Sequence, residues 1–369
     1  MSESQFDISL SLDKFGLGLL SKSIRETPEE DLLISPLSLS FNLALCALGA
    51  DGETADQIKS VLSLEKLSAD EMNEYFKTLA SGLGTVDSLS TFTSANSIWA
   101  DYSFPLKPSF VSDATSFYQA KAQNVDFSSD DSWAAINSWC DEMTAGQVRE
   151  MPKMTGTSLA LINALHFKGE WGHVFDKDNE VGVFHTSTGD VPCEFMTSEA
   201  EFGYRRLNTC RLLSLPYGKG GFEMLVIYPF DGVSFDDTLA ELESEIGRYS
   251  LVTAYANLHK IKVKMPLFRI ENTKSDFVET LKSMGLELPF SDKADFSRMT
   301  DQNTKIDAIV QKSCIDVNET GTEAASISAT YSYIYNPGGD YVKDDEFFVD
   351  SPFMFMLMEC GSGTILYAG

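Results

Sequence analysis

Val317-Asn318-Glu319-Thr320-Gly321-Thr322-Glu323-Ala324-Ala325-Ser326-Ile327-Ser328-Ala329-Thr330 is the stretch whose reading decides the fold. After Gly321 nearly every residue is small: positions 322, 324, 326, 328 and 330 are Thr, Ala, Ser, Ser and Thr, while Glu323, Ile327 and Tyr331 fall on the other parity. Alternate side chains of an extended chain point to opposite faces, so this segment can enter a packed sheet with its small face inward and its charge toward water. Tyr331 to Glu346 then reads as loop, with turn formers in Asn336-Pro337-Gly338-Gly339-Asp340 and charge in Lys343-Asp344-Asp345-Glu346. On pattern alone this is an edge strand followed by a surface loop. It is equally a candidate switch, a segment able to be strand or loop.

Composition sets the bounds around that stretch. At 369 residues, 43% hydrophobic and 22% charged, the chain suits a folded globular protein of one large domain or two ordinary ones. It holds no apolar run long enough to span a membrane, and Met1 to Phe6 carries neither the basic start nor the apolar core of a signal peptide. A net charge of −27 repels nucleic acid and anionic lipid and argues against a heparin-type cofactor site. The six cysteines, Cys46, Cys140, Cys193, Cys210, Cys314 and Cys360, are scattered and form no C-x-x-C pair, so free thiols are expected, without zinc or a disulfide framework. Four histidines stand apart from any H-E-x-x-H, and neither a phosphate loop nor a G-x-S-x-G elbow occurs, so no enzyme, metal or cofactor is expected.

Along the chain, apolar spacing predicts helices over 15–24, 39–48, 53–62 and 133–150. Leu32-Leu33-Ile34 reads as a short buried strand, and Ser35-Pro36 as a helix start with Pro in the first turn. Strands are predicted at 95–100, 159–167, 213–217 and 222–229. Leu159 to Phe167 is apolar throughout, as a central strand would be. No repeat, low-complexity tract or linker appears, so residues 1–369 read as a single domain.

Val317 to Thr330 resembles the hinge of the serpins, protease inhibitors whose exposed loop inserts into their own sheet. Phe347-Phe348-Val349-Asp350-Ser351-Pro352-Phe353-Met354-Phe355-Met356-Leu357 resembles the C-terminal signature of the same family. Serpin insertion is itself a known example of strand addition and of released strain. Most of the chain follows the family order, including Asn137, Trp139, Thr144 and Gly146 on a helix lying across the main sheet and Lys168-Gly169-Glu170-Trp171 at a strand end. The resemblance implies an inhibitory, prokaryotic-type member: an α+β serpin fold with three β-sheets, a large central sheet, eight to nine helices and a reactive-centre loop at about 320–346.

It further implies a suicide-substrate mechanism. A protease cleaves the loop, and the freed hinge (Glu319, Gly321, Thr322, Glu323, Ala324, Ala325 and Ser326) inserts as a new strand, trapping the acyl-enzyme. Each new backbone hydrogen bond contributes roughly 0.5–1.5 kcal/mol, so ten or more contribute on the order of 10 kcal/mol. That rivals the whole stability of a domain, about 5–15 kcal/mol, so the uncut form is a kinetic trap. Counting from Glu319 puts the reactive bond at Tyr335-Asn336, while counting back from Pro352 gives Tyr341; the loop is longer than usual, and the hinge count is preferred. Tyr335 suits a chymotrypsin-like or cathepsin-G-like target, Ile334 an elastase-like one and Lys343 a trypsin-like one.

Under the sheet the resemblance places Ser35, Ser38, Asn163 and Gln311, the last standing where the family usually has His. A Gln still donates and accepts, so the cluster survives without a titrating group. Trp171 and Glu319 are expected at the base of the loop. Leu267 replaces the usual lysine partner of Glu319, leaving Lys264 or Arg269 as substitutes. Asn318-Glu319-Thr320 is a formal glycosylation sequon, read as chance in a non-glycosylating source. The implied partners are serine proteases of the chymotrypsin-like or elastase-like kind, met by a monomer that is extracellular or at the cell surface with its signal removed; the alternative is cytoplasmic. A non-inhibitory serpin and a cross-class inhibitor of papain-like cysteine proteases are the competing functions. A charged or large residue at the first inward position would have to enter a close-packed interior. Thr322→Arg is therefore expected to turn inhibition into simple cleavage; inhibition at the unmodified level would contradict the hinge assignment.

Overall fold

The computed structural model describes residues 3–28, 30–146, 149–154, 156–176, 180–246, 258–274, 277–322 and 346–369. Eight α-helices are found among them: α1 Glu3–Glu26, α2 Pro36–Gly49, α3 Gly52–Val61, α4 Ala69–Leu83, α5 Pro108–Tyr118, α6 Asp130–Met143, α7 Phe235–Ile246 and α8 Phe277–Ser283. The strands that position the site are β1 Ser90–Asp101, β2 Lys121–Val125, β3 Leu159–Glu170, β4 Glu180–Thr186, β5 Gly189–Arg206, β6 Cys210–Tyr217 and β7 Phe222–Pro229. They continue with β8 Leu258–Pro266, β9 Phe268–Lys274, β10 Ala308–Asn318, β11 Gly321–Thr322, β12 Glu346–Phe348, β13 Met354–Glu359 and β14 Ile365–Ala368.

The chain separates into two compact units, and β3 and β10 each contribute residues to both. The first unit comprises 1–85, 92–166 and 271–314. In it β1 runs parallel to β2, and β10 runs parallel to β3 with Gln311 opposite Asn163. Parallel strands covered on both faces read as continuous apolar runs, and β3 is buried at every position from Leu159 to Leu165. Its Ala160, Ile162 and Ala164 pack with Trp99, Val310 and the α6 face of Trp133, Ile136, Trp139 and Cys140. Asp130 and Asp131 in the first turn of α6 complement the helix dipole.

Two expected elements differ here. The helix expected over 133–150 ends at Met143, because Ala145 (φ 51°) and Gly146 (φ 87°) take left-handed conformations that stop a helix. The short strand expected at 32–34 is only an isolated bridge at Ile34. The chain turns at once into α2, whose N-cap is the Ser35 hydroxyl accepting from Ser38 N at 3.3 Å, with Pro36 fixing φ in the first turn.

The second unit comprises 86–91, 167–270 and 315–369. Its eight-stranded sheet has the order β12-β8-β5-β6-β7-β13-β14, with β4 also on β5. Along its 18 residues β5 pairs β4 over 189–195, β8 over 195–203 and β6 over 203–206. This joins into one hydrogen-bonded path strands that a three-sheet count would divide. The C-terminal signature forms the buried β13, antiparallel to β7. None of the six cysteines is in a disulfide: Cys46, Cys140, Cys210 and Cys314 are buried, and Cys193 and Cys360 half-buried. No helix among the described residues is long and apolar enough to cross a membrane.

Ile162 is fully buried on β3, so Ile162→Ala removes packed methylenes and leaves a cavity. It is expected to lower stability by about 2–5 kcal/mol, read as a lower urea midpoint with an unchanged slope.

Candidate functional site

The residues expected from the sequence to cluster lie in two places, each inside one unit. In the first unit Gln311 reaches from β10 to the chain entering α2. Its Oε1 accepts from Ser35 N at 2.7 Å, and its Nε2 donates to Ser35 O at 3.1 Å. Ser35 and Ser38 hydroxyls lie 2.9 Å apart. Both donor and acceptor of Gln311 are thus used, which a planar amide supplies without titrating. Asn163, expected in the same cluster, faces another way: its Nδ2 donates to Ala95 O at 3.1 Å and Asn96 Oδ1 at 2.7 Å, both on β1. The four residues therefore form two groups, Ser35–Ser38–Gln311 and Asn163–Asn96. Asn96 carried no sequence signal beyond lying in a predicted strand.

In the second unit lie Asn318 to Thr322, where the sequence is read as the start of a hinge. The Asn318 Oδ1 accepts from Thr320 N at 2.9 Å and from the Thr320 hydroxyl at 2.6 Å, turning the chain out of β10. The residues read as a sequon are thus the turn itself. Gly321 and Thr322 then form β11, antiparallel on one side to Val317 and Asn318 of β10 and on the other to Gly169 and Glu170 of β3. A side chain at Gly321 (φ 144°) would put its Cβ 2.0 Å from the Gly169 carbonyl oxygen, so only glycine fits.

Trp171 anchors this turn. Its backbone N donates to Thr320 O at 3.1 Å, and its indole Nε1 to Asn318 O at 2.7 Å. The indole stacks on Tyr217 at 4.4 Å and 16°. Tyr217 in turn lies 5.0 Å from the Phe167 ring, close over Gly169, where a Cβ would meet Tyr217 at 3.0 Å. Thr322 is 1% exposed, and its hydroxyl lies 2.6 Å from the Tyr217 hydroxyl. Burial pushes the Tyr217 phenol well above its ordinary pKa, with the Thr322 hydrogen bond pulling the other way, so the hydroxyl stays protonated. Thr322 was expected to face inward; Tyr217 as its partner was not, because nothing local in Leu215-Pro216-Tyr217 points to residue 322.

Glu319 is half-buried. Lys264 Nζ bonds Glu180 Oε2 at 2.8 Å, and Arg269 bonds Asp316 Oδ2 at 3.1 Å. Glu323, Ala324, Ala325 and Ser326, and the reactive-bond residues Tyr335, Asn336, Ile334, Tyr341 and Lys343, lie outside the described residues. No group of three or more His, Cys, Asp or Glu able to hold a metal is found among the described residues.

These features define an α+β fold with a small-residue hinge strand held between two longer strands. The chain matches the serpin (serine protease inhibitor) family over residues 10–369, and it belongs to that family. It is 29% identical to the leukocyte elastase inhibitor of Bos taurus, covering 98% of each chain. It is 33% identical to Serpin-Z2A of Triticum aestivum, covering 98% of this chain and 96% of the relative. The structure of the Arabidopsis serpin AtSerpin1 in its native stressed conformation is similar with a TM-score of 0.85 at 28% identity, covering 100% of this chain and 98% of that one.

Gln311→Leu leaves the buried Ser35 N and O without their side-chain partner. Ser35 O still accepts from Leu39 N at 3.2 Å, so the loss is that of two side-chain bonds worth about 0.5–1.5 kcal/mol each, and a fall of roughly 1–3 kcal/mol in unfolding free energy is expected, with Gln311→Glu less damaging than Gln311→Leu at low pH. An unchanged denaturation midpoint would contradict the role given to Gln311.

Proposed function

We propose that this serpin is an irreversible suicide-substrate inhibitor of serine endopeptidases, acting as one domain over 1–369 and as a monomer without cofactors. The observation that carries this reading is the seat of Thr322: a buried slot between β3 and β10, fitted to a small residue and following a glycine that admits no side chain. A hinge of alternating small residues continues from that seat in the sequence, Ala324, Ser326, Ser328 and Thr330 sharing its parity.

In this mechanism a serine protease's hydroxyl oxygen attacks the carbonyl carbon of Tyr335. The Tyr335–Asn336 peptide bond breaks, and the proton goes to the Asn336 amine. The acyl-enzyme then stays on the Tyr335 end while 323 onward joins β11 as strand. Chymotrypsin-like and elastase-like enzymes fit Tyr335 and the neighbouring Ile334, in keeping with a relative named for leukocyte elastase. The acidic surface favours targets other than heparin-dependent ones. The site of action is extracellular, or cytoplasmic as the alternative.

Incubation with chymotrypsin or elastase is expected to give a covalent complex that survives boiling in detergent, with a released peptide beginning at Asn336. Cleavage without complex would overturn the inhibitor reading in favour of a non-inhibitory serpin. A complex with papain-like enzymes alone would favour the cross-class reading.

A further inference from the structure

Insertion as usually pictured begins after the loop is cut. Here the chain already runs as strand at Gly321 and Thr322, paired on both sides, in the uncut protein. Nothing in the backbone alone demands that Thr322 stay there, since a two-residue strand is short. What distinguishes the position is its side chain. Thr322 is 1% exposed, and its hydroxyl meets a phenol that is itself fully buried, 2.6 Å away. That phenol is fixed from three sides by the Trp171 stack, the Phe167 ring and the space left by Gly169. Trp171 also holds the carbonyls of Asn318 and Thr320, the two residues flanking the turn.

From this geometry we infer that Tyr217 is the positioning residue of the hinge: its hydroxyl latches Thr322 in the sheet before any protease arrives. The inference rests on the insertion reading above and deepens it. Strand addition after cleavage then extends a strand already in place at Gly321 and Thr322, with no new strand to nucleate. Two polar groups hidden together satisfy one another, whereas either one left alone would be a buried donor or acceptor without a partner. The latch therefore acts on the seated state and has no counterpart when the hinge is out. Because the phenol stays protonated through the neutral range, the latch does not titrate there.

The test uses the full, uncut chain and two variants that each remove one hydroxyl, Tyr217→Phe and Thr322→Val, with Thr322→Ser as the variant that keeps it. Hydrogen–deuterium exchange of the amides at 321 and 322 reads the seat directly. Losing the bond is expected to speed exchange there roughly fivefold, about 1 kcal/mol at 1.36 kcal/mol per tenfold, while Thr322→Ser stays near the parent rate. The double variant is expected to exchange no faster than either single one, since both remove the same bond. With a target protease, both single variants are expected to consume more inhibitor per protease trapped, without slower initial complex formation. Exchange at 321 and 322 unchanged in folded Tyr217→Phe and Thr322→Val would overturn the latch. If Tyr217→Phe does not fold, Thr322→Val against Thr322→Ser decides it alone. Should the parent trap no protease, the inhibitor reading fails while the exchange result still judges the latch.

Discussion

The constraint on which the rest depends is that backbone groups taken from water must find partners. β3 and β10 meet it in two ways. Over 160–164 and 308–312 they bond each other directly, and at 169–170 and 317–318 each bonds β11 instead. A third strand is therefore an alternative partner that the same two edges accept. Where it is present each edge gains a ladder, and the side chains that enter must be small. The hinge composition, the glycine at 321 and the buried hydroxyl seat at 322 are consequences of that single demand.

The buried polar cluster answers the same demand at a different place. Ser35 is at once the cap of α2 and the backbone partner of Gln311, so the start of a helix buried at every position but Leu48 is tied to β10 by side-chain bonds. Lacking a titrating group, Gln311 makes this tie indifferent to pH. Asn163 performs a similar service toward β1. The two ties leave β3 and β10 in contact through their own ladder, which is the contact a new strand would have to replace.

Much of this was legible in the sequence because it is written in local pattern. The all-apolar run at 159–165, the Ser-Pro helix start at 35–36 and the parity of the small residues from 322 each follow from one-dimensional rules. The Gln311–Ser35 pairing was expected only through the family resemblance, being a contact between residues far apart in the chain. What escaped was of that same long-range kind. Tyr217 meets Thr322 across 105 positions, and Asn163 meets Asn96 across 67, with no periodicity to announce either. Lys264 and Arg269 are expected near Glu319 only as neighbours of Leu267, which stands where the family usually has lysine; in the structure Lys264 bonds Glu180 and Arg269 bonds Asp316. The early end of α6 shows local chemistry prevailing over apolar spacing: the left-handed pair at 145–146 stops a helix that the pattern alone would have continued.

The central claim is that the intact chain is held above its free-energy minimum and relaxes when its loop is cut. Melting the intact protein beside protein nicked once between 323 and 345 tests it without any need to know the natural target. The account predicts a nicked form that melts higher by about 13 °C, as roughly 10 kcal/mol of added strand pairing would give. Equal melting temperatures would contradict it.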